Sequence, residues 1–178
     1  AEHHAYDAYI DNNTLFFSCE ADGLYIFDGI DNTTKTLEPV AHYFDASQAL
    51  GQFYGAARDG DYLYVAAGGT GLAVLNIADF DNITLAAEPL NNNYQGIIGI
   101  VQAKDGYVYL CSEFQNFYKI DVTDPENPVQ AQAFLVGGHH SLGISTAGNY
   151  VALANSNYGI RIFDTRSHAI QQVGEFLS

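Results

Sequence analysis

Short apolar runs alternate with clusters of Gly, Asn and Asp along the whole chain. Within the runs, apolar and other side chains tend to alternate at period two, which predicts half-buried β-strands; no stretch sustains the period of about 3.6 residues that an amphipathic helix requires. Set beneath itself, the sequence repeats four times. The clearest element is Gly23-Leu-Tyr-Ile-Phe-Asp28, which recurs as Gly71-Leu-Ala-Val-Leu-Asn76, Asn116-Phe-Tyr-Lys-Ile-Asp121 and Gly159-Ile-Arg-Ile-Phe-Asp164. The starts at 23, 71, 116 and 159 lie 48, 45 and 43 residues apart.

Ahead of each copy lies a second strand-like run: Thr14-Leu-Phe-Phe, Tyr62-Leu-Tyr-Val, Tyr107-Val-Tyr-Leu and Tyr150-Val-Ala-Leu. Each follows a turn rich in Asp, Asn and Gly, the chemistry of a tight hairpin. A first element carries Gly55, Gly99 and Gly143 at equivalent places, with Asp7 in the first copy. A fourth, more variable element includes Pro39-Val-Ala-His-Tyr-Phe, Pro128-Val-Gln-Ala-Gln-Ala-Phe and Gln172-Val-Gly-Glu-Phe. Proline at its start suits an outer edge strand, because proline cannot donate to a ladder.

Four strands in a unit of about 44 residues is blade geometry. The sequence therefore predicts an all-β fold, a β-propeller made of four four-stranded antiparallel blades. It forms a single domain over 1–178, with repeats at about 1–48, 49–92, 93–136 and 137–178. The copies leave no spare strand for a closing clasp. Three arrangements follow: a complete four-bladed ring, half of an eight-bladed ring shared by two chains, or a part of a longer chain.

Charge narrows the partners. With 6 Lys plus Arg against 21 Asp plus Glu, the net charge is −15, which repels phosphate backbones and anionic membranes. Nucleic acid and membrane insertion are not expected. No run approaches the roughly 18 consecutive apolar residues of a membrane span. The chain starts Ala1-Glu2 and contains no Met, which predicts that a leader has been removed as in an exported protein. Sequons at Asn12, Asn32 and Asn82 fall in predicted turns, where a secreted protein carries glycans. Cys19 and Cys111 each lie inside an apolar run and are expected to be buried free thiols. A bridge between them would require their α-carbons within about 7 Å, whereas the repeats set them two blades apart.

The repeats resemble the LVIVD-repeat family of bacterial and archaeal surface-protein β-propellers. The third copy is nearest, with Asp105-Gly-Tyr-Val-Tyr-Leu followed by Tyr118-Lys-Ile-Asp-Val-Thr-Asp-Pro-Glu-Asn-Pro128; the other copies lose the Asp-Pro-x-Asn-Pro turn. The resemblance covers nearly the whole chain and implies a secreted or cell-surface propeller. It implies no particular activity, because a propeller is a platform whose function lies in the sites built on it.

Candidate chemistry comes from two His-His pairs, His3-His4 and His139-His140, at equivalent places in repeats one and three. In a four-bladed ring these repeats face each other, so His4 and His140, with Asp7, are candidate transition-metal ligands at the channel mouth. The plain alternative is a polar rim of neutral histidines. Acidic pairs after the third strands, Asp28 with Asp31, Asp79 with Asp81 and Asp121 with Asp124, offer oxygens to calcium but lack EF-hand spacing; capping of their own turns is the simpler role.

No nucleophile elbow or phosphate-binding glycine loop is present. Gly68-Gly69-Thr70-Gly71 joins two strands and opens no helix. Of the 13 Tyr and 11 Phe, most take alternate strand positions and belong to the core; Phe80, Tyr94, Phe114 and Tyr158 are loop aromatics that could contact a ligand.

The sequence thus points to an extracellular non-catalytic module for protein or carbohydrate binding, or for self-association into a dimer or filament at the cell surface. A metal-dependent propeller enzyme of the lactonase or oxidoreductase kind, and a structural filament subunit, are the alternatives.

Overall fold

A computed structural model describes residues 5–31, 36–47, 49–90, 98–112, 116–136, 143–167 and 169–177. It contains four four-stranded antiparallel meanders arranged as the blades of a β-propeller. Blade 1 holds β1 (Asp7–Asp11), β2 (Thr14–Ser18), β3 (Leu24–Asp28) and β4 (Ala41–Tyr43). Blade 2 holds β5 (Gly55–Asp59), β6 (Tyr62–Ala66), β7 (Leu72–Asn76) and β8 (Thr84–Leu90). In blade 3 the strands are β9 (Ile98–Lys104), β10 (Tyr107–Ser112), β11 (Asn116–Asp121) and β12 (Val129–Leu135). Blade 4 consists of β13 (Gly143–Ala147), β14 (Tyr150–Ala154), β15 (Ile160–Asp164) and β16 (Gln171–Phe176). Helix is confined, among the described residues, to a single 3-10 turn at Ser156–Tyr158.

Local chemistry sets these boundaries. The first hairpin of every blade closes through two residues, and the leading one has positive φ: Asn12 at 52°, Gly60 at 59°, Asp105 at 51° and Gly148 at 52°. Gly, Asn and Asp tolerate that region best, so their clustering marks the turns. Gly23 and Gly159 open third strands at φ 87° and 72°. A Cβ at these glycines would run into the carbonyls of Tyr43 and Phe176 on the neighbouring fourth strand. The third-to-fourth strand approach therefore requires glycine twice over.

The outer strands are the irregular ones. β4 is shorter than the sequence suggests, because the pairing of blade 1 ends at Tyr43. Pro89 lies within β8, where the register shifts between Leu72 and Val74 of its neighbour, so a bulge accommodates a residue that cannot donate.

Burial lies between blades. One cluster joins blades 1 and 2 through Phe16, Leu24 and Ile26 against Leu63, Val65 and Leu75. A second joins blades 2 and 3 through Tyr64, Leu72 and Val74 against Val108, Leu110 and Ile120. The third joins blades 3 and 4 through Tyr109, Cys111 and Phe117 against Val151, Leu153 and Phe163. Consecutive first strands follow the same order, β1 on β5, β5 on β9 and β9 on β13. Among the described residues no comparable packing joins β13 to β1, and no buried cluster spans blades 4 and 1. Among the described residues, three junctions join the four blades, and the junction of blades 4 and 1 is open.

Candidate functional site

The open junction leaves two sheet faces whose side chains have lost their expected neighbours. Each blade has a leading face, turned toward the preceding blade, and a trailing face, turned toward the next. On the leading face, Leu63, Val65 and Leu75 of blade 2, Val108, Leu110 and Ile120 of blade 3, and Val151, Leu153 and Phe163 of blade 4 are all fully buried. Their counterparts in blade 1, Leu15, Phe17 and Phe27, together with Tyr25, are only half-buried. Tyr25 stacks on His42 at 4.1 Å between ring centroids, and the His42 ring contacts the carbonyl of Asp22 at 2.7 Å through Nε2.

The trailing face shows the same break at the other end. Leu24, Leu72 and Phe117 are 0% exposed, but the equivalent Ile160 in blade 4 is 46% exposed. Ile162 is 39% exposed where Ile26 and Val74 are fully buried. Tyr150 and Phe176 are exposed on the same blade. Isolated exposed apolar residues are ordinary, whereas a contiguous apolar face on a sheet is an interaction surface.

A cleft of about 240 Å³ sits at the junction of blades 1 and 2, lined by Glu20, Gly23, Phe44, Asp45, Gln52 and Phe53. Its floor is fixed by a reciprocal backbone bridge, Glu20 N–H to Phe53 O and Phe53 N–H to Glu20 O, each 3.1 Å. Asp45 is already engaged. It accepts from the Ser47 hydroxyl and amide and from the Leu50 amide, and these bonds hold its carboxyl below the usual carboxylate range.

The turns after the third strands of blades 2 to 4 cap themselves, whereas the acidic turn of blade 1 is held by the first hairpin. Asn76 accepts from the Ala78 amide, Asp121 from the Thr123 amide and Asp164 from the Arg166 amide, each at 3.0 Å, so three third strands end in the same side-chain turn. Asp79 accepts from the Asp81 amide, Asp124 from the Glu126 amide, and Asp28 from the Thr14 hydroxyl, while Asp31 exchanges bonds with Asn13. Hydrogen bonds from Arg166 lower the Asp164 carboxyl to about 2.

Of the candidate metal ligands, Asp7 lies on β1, where the surrounding chain desolvates its carboxyl in part and raises its pKa, partly offset by the Ala8 amide. His4 and His140 lie outside the described residues, and among the described residues no three His, Cys, Asp or Glu side chains gather to hold an ion. Both thiols are free and buried. Burial pushes Cys111 and, together with Asp22, Cys19 upward, so neither is an activated nucleophile.

Tyr158 is an exposed loop aromatic at 44%. Phe80 is not free-standing: the turn capped by Asp79 directs it onto the core between blades 1 and 2, where it is half-buried. Tyr94 and Phe114 lie outside the described residues. Asn12 and Asn82 occupy exposed turns, and Asn32 lies outside the described residues.

Lys119 is a residue whose role the sequence pattern hides. It occupies a trailing-face core position, 1% exposed, with its ammonium 3.9 Å from the Tyr107 ring centroid. From there it donates to the carbonyls of Ser167 at 3.1 Å and Thr165 at 3.5 Å, tying blade 3 to blade 4. Burial lowers its pKa and Asp121 pulls it back up. The one signal in the sequence is a cation at a register position that Ile26, Val74 and Ile162 fill with aliphatic carbon.

The sequence matches no protein-family model and no curated protein. Solved structures match by fold. A functionally unknown protein from Desulfotomaculum acetoxidans aligns with TM-score 0.72 at 12% identity, over 100% of this chain and 57% of that one. The computationally designed Ika8 protein aligns with TM-score 0.69 at 9% identity, over 97% of this chain and 48% of that one. The computationally designed Ika4 protein aligns with TM-score 0.66 at 10% identity, over 92% of each chain. This chain therefore spans about half the length of the first two. At these identities the likeness is one of fold alone.

Proposed function

We propose that the protein is a non-catalytic extracellular β-propeller module that acts at the cell surface by binding or by self-assembly. The observation that carries this reading is the pair of apolar blade faces left open at the two ends of the arc. Such faces are liabilities for an isolated chain and assets for one that associates. The LVIVD-like repeats, the acidic charge of −15 and the exposed sequon asparagines Asn12 and Asn82 support a cell-surface setting. Phe44 beside the blade 1–2 cleft and Tyr158 in the β14–β15 turn are among the exposed loop aromatics of the described residues and offer contacts to a protein or glycan.

Sedimentation velocity over a range of protein concentrations, with metal content measured on the same samples, tests the proposal. Concentration-dependent association without stoichiometric metal is expected. A chain that stays monomeric and carries one metal ion, lost in His4→Ala and His140→Ala, would replace this reading with the metal-dependent enzyme.

A further inference from the structure

We infer that two copies of this chain join head to tail, the trailing face of blade 4 on each copy against the leading face of blade 1 on the other, and so close one eight-bladed ring. The inference rests on the assembly reading above and names its partner and its geometry.

The internal junctions show what covers such a face. At all three, the trailing face of one blade meets the leading face of the next. The two faces left over are one of each kind, so they are complementary to each other and not each to itself. Blade 1 presents Leu15, Phe17 and Phe27 with Tyr25. Blade 4 presents Tyr150, Ile160 and Ile162. A contact between unlike faces is heterologous, and it either closes into a ring or runs on as a filament. Propeller rings typically hold four to eight blades. This arc has four blades and, among the described residues, no packing closes the fourth on the first; one further copy gives eight, and a third would exceed the range. Two copies are therefore the closed solution built from whole chains.

The junction can be specified to a pair of residues. Across blades 3 and 4, Phe117 stacks on Phe163 with ring centroids 4.9 Å apart. Ile160 holds the place of Phe117 on the trailing face, and Phe27 the place of Phe163 on the leading face. Ile160 of one copy thus meets Phe27 of the other. Because the ring is two-fold symmetric, both junctions contain the same pair.

The experiment uses the whole chain and the variants Ile160→Asp and Phe27→Asp in sedimentation velocity. The wild-type chain is expected at twice its 19.4 kDa mass, with no larger species. Each variant is expected to dimerise at least about tenfold more weakly, since a desolvated charge sits in the centre of both junctions. Mixing the two variants is expected to restore a dimer, because one of the two junctions then joins unaltered faces.

Should a charged variant fold poorly, a chain carrying Ile160→Cys and Phe27→Cys gives an independent test with a short bis-maleimide, which adds a thiol at each end, Cys19 and Cys111 being buried. A covalent dimer supports the closed ring. A ladder of higher species overturns ring closure while leaving self-assembly standing. Loss of association from only one of the two charged variants, or no recovery on mixing, overturns the head-to-tail arrangement. A wild-type monomer at every concentration overturns both this inference and self-assembly.

Discussion

Leu72 and Ile160 hold the same place in blades 2 and 4, yet the first is fully buried and the second is 46% exposed. The same contrast separates Leu75 from Phe27 at the other end of the arc. Interior and terminal blades are built on one pattern, so the difference lies in what stands beside them. A blade does not own a core; it shares one with each neighbour, and its stability is set by how many neighbours it has.

The largest effect expected from this contrast is on folding stability. Leu72→Ala should cost about 3 kcal/mol, the transfer and cavity penalty of a fully buried aliphatic side chain. Ile160→Ala in dilute solution should cost under about 1 kcal/mol, because much of that side chain is already in water. Paired denaturant unfolding of the two variants checks this, and equal losses would mean that the terminal face is covered within one chain.

A smaller effect belongs to the junction of blades 3 and 4. Lys119→Met keeps the stem but loses the bonds to the Ser167 and Thr165 carbonyls and the contact with Tyr107, which should cost roughly 1 to 2 kcal/mol. Hydrogen exchange should then quicken in β14 and β15 and leave β6 and β7 unchanged. Uniform quickening across all blades would show that the blades do not open separately.

Smaller still is a pH effect on the interior. Burial, with Asp59 and Tyr62 adding to it, pushes the Tyr64 phenol from 10.0 up to about 12. The folded chain therefore holds that proton more tightly than the unfolded chain. The stability linked to it is fully present below pH 10 and is lost as pH rises through the folded value of about 12. Alkaline unfolding followed by tyrosinate absorbance should be less steep in Tyr64→Phe, and an unchanged profile would contradict the assignment. The smallest effect is on association: added salt should tighten it modestly, because it screens repulsion between copies that each carry −15.

Much of the fold was legible in the sequence, because strand periodicity and turn chemistry are local. Gly23, Gly71 and Gly159 marked the entries to third strands, and the Asp-Asn-Gly turns marked the hairpins. The alternation of Leu63, Val65 and Leu75 against Tyr64 and Val74 already separated the two faces of blade 2.

The open junction was legible only as a choice among arrangements, since Phe17, Phe27, Ile160 and Ile162 look no different from buried strand residues. Burial depends on a neighbour that strand pattern does not specify. The half-burial of Phe80 was hidden for a related reason: its turn is polar, as a surface loop should be, yet the ring packs against the core of blades 1 and 2. Lys119 escaped notice because its partners are backbone carbonyls more than 40 residues away, and carbonyls leave no mark in a sequence.

Hydroxyl-radical footprinting of the wild-type chain at low and high protein concentration reads the two terminal faces themselves. Phe27, Tyr150 and Ile160 are expected to become protected together as concentration rises, while Phe16 and Leu72 are protected throughout. Labelling of Phe27 and Ile160 that stays the same at every concentration would contradict association through these faces.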